Sequence, residues 1–128
     1  MTGTPDPIVV LVVDDEALIR MYAVDVFEDA GFRVVEAEDG EDALAALERH
    51  PEIGVMFTDI NMPGPFDGLE LARKVHARRP DIQLIIASGK LRLTKAEIPD
   101  SSTFFAKPYD GQVIARLINA TQHISGTI

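Results

Sequence analysis

The chain has 128 residues, of which 46% are apolar, with a formal net charge of −9 and no cysteine. That length and apolar share suit one globular domain with its own core. The acidic balance argues against nucleic acid and anionic lipid as partners. Disulfides, thiolate metal sites and cysteine nucleophiles are excluded. No apolar run reaches membrane-spanning length, and residues 1–7 lack the basic and apolar regions of a signal peptide. A cytoplasmic protein is expected.

Residues 1–7, with two prolines and a glycine, read as a flexible lead, and residues 8–13 as a β-branched run without alternation. Such a run predicts a strand covered on both faces. Asp14, Asp15 and Glu16 follow, and one of these acids is expected to cap a helix from about residue 16 to 30. Ile19, Ala23, Val26 and Ala30 form its inner face, and Gly31 stops it. A second strand is expected over 33–36. A helix opens at Asp39-Gly40, with Ala43, Leu44 and Leu47 inward.

The third strand covers 54–58 and ends at Asp59. A loop with two prolines and two glycines spans 61–68. A helix over 69–79, with Leu71 and Val75 inward, stops at Pro80. A fourth apolar strand over 82–87 ends at Ser88-Gly89. Residues 90–102 show weak helical periodicity, and Pro99 forbids a helix through their end. A fifth strand over 103–106 precedes Lys107-Pro108, and a last helix over 110–122 turns Val113, Ile114, Leu117 and Ile118 inward. The domain is therefore expected over 8–122, with 123–128 a short tail. Strands alternating with helices predict an open parallel sheet covered on both faces, with right-handed crossovers.

In such a sheet, sites form beyond the carboxyl ends of the strands. Asp14 and Asp15 follow the first strand, Asp59 the third, Ser88 the fourth and Lys107 the fifth. Each alone reads as a cap, a turn residue or a surface charge. On one rim they form three acids, a hydroxyl and an amine. Clustered carboxylates resist joint ionisation, and a hard divalent cation such as magnesium resolves this. Lysine and serine supply a charge and a hydrogen bond for an anionic oxygen, so phosphoryl chemistry suits the set better than ester or sugar hydrolysis. His50, His76 and His123 show no metal spacing.

The Asp14-Asp15 pair, Asp59 ahead of Met62-Pro63, Ser88, and Lys107-Pro108, each at its strand end, resemble the response-regulator receiver family of two-component signalling, in its stand-alone form. The resemblance covers about residues 8–121. It implies a flavodoxin-like (βα)5 fold, a doubly wound five-stranded parallel sheet of order 2-1-3-4-5. It implies that Asp59 accepts a phosphoryl group from a histidine kinase or histidine phosphotransfer protein. Asp14, Asp15, Asp59 and the backbone carbonyl of Asn61 would hold Mg2+. Lys107 and Ser88 would contact the phosphoryl group, and Phe104 would act with Ser88 as an aromatic switch. Output would be contact with a downstream protein, with dimerisation on phosphorylation a further option. The chain would undergo self-phosphorylation and slow autodephosphorylation without being a turnover enzyme.

Several features depart from the family pattern. The loop from Asn61 to Gly68 is one residue longer, which should shift the start of the third helix. The stretch between Ser88 and Lys107 is shorter, so the fourth helix of the family is expected to be short or distorted. Phe104 lacks the hydroxyl of the tyrosine often found there. Lys90 sits two residues after Ser88, and Lys90 and Asn61 are expected to tune phosphoryl lifetime.

Competing readings are a phosphate sink or relay intermediate and an unphosphorylated scaffold. A haloacid-dehalogenase-like phosphatase needs an aspartate where Asn61 stands and a nucleophile after the first strand. A flavin carrier needs a Ser/Thr/Gly-rich loop where this chain is acidic.

Overall fold

The structure is a computed structural model that describes residues 6–89, 99 and 102–126, the last four by their backbone alone. The elements in chain order are β1 (Val9–Val13), α1 (Ala17–Asp29), β2 (Arg33–Ala37), α2 (Gly40–Arg49), β3 (Val55–Asp59), α3 (Gly68–Arg78), β4 (Gln83–Ser88), β5 (Ser102–Ala106) and α4 (Gly111–Gly126). The five strands form one parallel sheet of order β2-β1-β3-β4-β5, the flavodoxin-like order expected from the sequence. The helix expected within 90–102 lies outside the described residues.

The strands lack alternation because both faces of the sheet are covered. Val9, Leu11 and Val13 point to a layer with Ala43 and Ala46 of α2 and Leu71 and Val75 of α3. Val10 and Val12 point to the opposite layer, with Ala23 and Phe27 of α1 and Ile114 and Ile118 of α4. The central strands β1 and β3 are buried at every residue, whereas the edge strand β2 exposes Arg33 and Glu36.

Local chemistry sets the helix ends. Asp39 and Asp67 cap α2 and α3, each accepting a hydrogen bond from the N–H three residues on, at 2.8 and 2.9 Å. At the end of α1, Gly31 takes a positive φ of 94°. Its N–H donates to the Glu28 carbonyl and that of Phe32 to the Phe27 carbonyl, at 2.9 and 3.0 Å. This double closure needs the left-handed backbone that glycine supplies.

Several expectations are corrected. Ala30 is the exposed C-cap of α1, and Phe27 is the buried anchor instead. Ala30 keeps the helical period from Ala23 and Phe27 but stands one residue past the end of the helix at Asp29. Val113 stands 41% exposed in the first turn of α4, while Ile114, Ala115 and Ile118 face inward. No side chain caps α1 at Glu16; the Asp14 carboxylate accepts the Glu16 N–H just ahead of the helix, at 2.9 Å. Ser88 is the last residue of β4 rather than the first beyond it, and α4 runs to Gly126, past Gln122.

Phe27 is fully buried and meets Phe32 and Phe57 with ring centroids 6.1 and 5.8 Å apart. Phe27→Ala is expected to cost about 3–5 kcal/mol, measurable as a lower urea midpoint.

Candidate functional site

The site grows out of strand register. Val13, Thr58, Ile86 and Phe104 lie side by side across β1, β3, β4 and β5. One step on, Asp59 is level with Ala87 and Phe105, and Asp14 follows Val13 directly. The ladder then continues past the strands. The Asp14 N–H donates to the Ala37 carbonyl at 3.1 Å, the Ile60 N–H to the Ala87 carbonyl at 3.0 Å, and the Lys107 N–H to the Ser88 carbonyl at 3.0 Å. Asp14, Asp59, Ser88 and Lys107 are thus fixed to one rim by main-chain bonds.

Asp14 and Asp59 are each only 5% exposed and Ser88 1%, while Asp15 faces solvent. One carboxylate oxygen from each of Asp14, Asp15 and Asp59 lies within 4.8 Å of the other two. Among the described residues, no other acid or histidine cluster could hold a metal ion. The Lys107 amine is 3.3 Å from Asp59 Oδ1 and 3.7 Å from Asp14 Oδ2. It faces Asp59 Oδ1 as a charge, because that buried oxygen has no hydrogen-bond partner. Burial pushes the Asp59 carboxyl above the usual carboxylate range and the Asp14 charge adds to the rise. The Lys107 amine and the Asn61 N–H oppose it. Such a set offers hard oxygen donors to a cation and one amine to an anion.

Asn61 is exposed in the loop after β3. Phe104 is half-buried beside Ile86, on the α2–α3 face of the sheet, and Phe105 packs on the opposite face. Lys90 lies outside the described residues. His50 lies 3.3 Å from Glu52 at the far end of α2 and takes no part in the rim.

Three supports escaped the sequence reading. Arg20 donates from one guanidinium nitrogen to the Asp14 carbonyl at 2.6 Å and from another to Glu36 at 3.1 Å, bracing the acidic turn from α1. A single arginine six residues after Asp14 was its only sign. Gly68 rests so closely on β3 that a Cβ would collide with the Asp59 carbonyl oxygen. Tyr109, two residues after Lys107, packs edge-on against Phe57 with centroids 5.1 Å apart. Its hydroxyl is raised above the usual tyrosine range by burial and by the nearby Asp14 charge. The Lys107-Pro108 peptide between them is cis.

Residues 10–119 match the response regulator receiver domain. The chain belongs to the response regulator receiver family. Among receiver proteins, it is 33% identical over 110 residues to a chemotaxis protein CheY homolog of Campylobacter jejuni, covering 81% of this chain and 84% of that one. It is 31% identical over 107 residues to the response regulator receiver protein CpdR of Brucella abortus, covering 84% and 82%. Among solved structures it is similar to the CheX-CheY-BeF3-Mg2+ complex of Borrelia burgdorferi, with TM-score 0.78 and 30% identity over 90% of each chain. The acidic cluster fits the magnesium and phosphorylation site of receiver domains. No described helix is long and apolar enough to cross a membrane.

The raised Asp59 carboxyl binds its proton more tightly in the fold than in the unfolded chain, so at neutral pH its charge opposes folding. That penalty fades as pH falls through the folded value. Asp59→Asn is therefore expected to raise the melting midpoint at pH 7 in magnesium-free buffer. The gain should shrink toward zero as pH is lowered, as a pair of thermal melts across pH will show.

Proposed function

We propose that the chain is a phosphoacceptor, phosphorylated on Asp59 by a histidine kinase or histidine phosphotransfer protein, and that it signals through phosphorylation-dependent protein contact. One observation carries the reading. Asp59 Oδ1 is buried without a hydrogen bond, faces a lysine amine 3.3 Å away and shares its rim with two more carboxylates. An acid placed for structure alone would have its oxygens satisfied. This one has an oxygen left for a cation or a reacting phosphorus.

The donor set fits magnesium on the same grounds, because the orphaned oxygen and its neighbours are hard oxygen ligands in excess of local positive charge. Asp14, Asp15, Asp59 and the Asn61 carbonyl would hold it. Bound there, the ion supplies positive charge for the phosphoryl oxygens. An Asp59 carboxylate oxygen attacks phosphorus as the P–N bond to the donor imidazole breaks, and the imidazole nitrogen leaves with the electron pair. Lys107 balances charge on a phosphoryl oxygen, and Ser88 donates its hydroxyl to another. Phe104, on the strand that ends one residue before Lys107, follows the movement of Ser88 and carries the change toward the sheet edge.

The donor would approach over α1. Leu18, Met21 and Tyr22 stand 82%, 56% and 45% exposed there. Leu18 and Tyr22 line an apolar cavity of about 470 Å3 that is closed on its other side by Lys107, Pro108 and Tyr109. Exposed apolar surface of this kind suits a protein partner. The complex with beryllium fluoride and magnesium in the Borrelia burgdorferi relative supports the chemistry. The chain is modified once per signal rather than turning over substrate. Its setting is the cytoplasm, where the ATP that charges a histidine kinase is found.

The test is intact mass after incubation with acetyl phosphate and magnesium. A gain of one phosphate, about 80 Da, is expected, absent in Asp59→Asn and absent when magnesium is chelated. Lys107→Ala is expected to slow labelling by about a hundredfold. Labelling that persists in Asp59→Asn would overturn the assignment.

A further inference from the structure

The segment that joins β3 to α3 carries the one proposed magnesium ligand that is a main-chain carbonyl, that of Asn61. Its course is hard to fix by main-chain bonding, since Pro63 and Pro65 have no N–H to give and Gly64 takes a positive φ of 106°. Packing around two glycines does the fixing instead.

At the far end, the Gly68 N–H donates to the Ile60 carbonyl at 2.9 Å, and the absence of a Cβ lets this backbone lie on that of Asp59 and Ile60. Midway, the ring of Phe66 fills the space that a Cβ on Gly40 would need, with three ring carbons crowding that point. Gly40 is buried in the first turn of α2, and that turn is held by the Asp39 cap. The ring therefore lies in a notch with a rigid wall. Phe66 packs on the same core layer as Ile60 and Leu71, and the Lys74 amine lies 5.2 Å above the ring centroid. Phe66 is half-buried although its neighbours at 64, 65 and 67 are exposed.

We propose that the Gly40 notch and the Phe66 ring form a latch that sets the position of residues 61–65, which makes Phe66 and Gly40 positioning residues for the Asn61 carbonyl. The inference rests on the phosphoacceptor reading of the rim. Neither residue touches the reacting atoms. They act on the cation site because Asn61 sits between two fixed points, Ile60 bonded to Ala87 of β4 and Phe66 in its notch, six residues apart. Without the ring, the intervening backbone is free to move, and a carbonyl ligand moves with it. Any side chain at position 40 expels the ring and has the same effect from the other side. Outer supports of a metal ligand commonly govern affinity about ten- to a hundredfold.

The test is calorimetric titration of magnesium chloride into the full chain, below the melting range of every variant. Phe66→Ala and Gly40→Ala are each expected to weaken magnesium binding about tenfold. The double variant should be no weaker than either single one, because both remove one contact. Phe66→Met should bind nearly as wild type does, since an unbranched apolar chain adapts to the notch. Hydrogen exchange at the Gly68 amide should quicken in both single variants without magnesium. Variants that match wild-type affinity overturn the latch, and so do losses that multiply in the double variant, which would signal general loosening. Wild-type chain that takes up no magnesium overturns the phosphoacceptor reading itself, and the latch's role with it. That result is distinct from one in which wild type binds and the variants bind equally.

Discussion

Asp14 and Asp59 bring two carboxylates out of water at the ends of neighbouring strands, and the Lys107 amine faces both across less than 4 Å. Left alone, such a pair would push the strands apart or take up a proton. The single amine offsets part of the repulsion and leaves Asp59 still raised by burial. The rest of the molecule has to hold this arrangement in place. Its means are the uninterrupted apolar layers on either side of β1 and β3 and the ladder bonds that run past the strand ends. A buried charge cluster gives a fold little net stability, so the rim is held by the fold rather than holding it.

The residues nearest that chemistry were legible because parallel strands announce themselves. A β-branched run with no alternation ends where the first polar residue appears, and in an open α/β sheet that residue stands at the rim. Asp14, Asp59, Ser88 and Lys107 could be assigned to one place in this way. Their neighbours in space could not. Arg20 reaches Asp14 across a helix turn, and Phe66 meets Gly40 from a different connection, so neither contact has a fixed spacing in the sequence. Faces were blurred for a related reason. Ala30 and Val113 have the right period but sit at the helix ends, where the sheet no longer lies beneath them. The weak periodicity of residues 90–102 gave no firm reading, and residues 90–98 lie outside the described residues.

The two aromatic neighbours on β5 divide the work of the edge strand. Phe104 belongs to the layer under α2 and α3, whereas Phe105 belongs to the layer under α1 and α4. Ser88 is paired with Ala106, one step along from these two rings. On the α1 side, Tyr22 accepts a hydrogen bond from the Gly111 N–H at 3.1 Å and packs near Tyr109. The start of α4 is thereby tied to the helix beside the acidic turn.

The ladder bond from the Lys107 N–H to the Ser88 carbonyl has a wider meaning for how such a chain can vary. It places the amine by reference to β4, so the length of the connection between these strands has no say in where the amine stands. Insertions and deletions can accumulate there while Asp59, Ser88 and Lys107 keep their spacing. Selection can then vary that connection freely without disturbing the acidic rim.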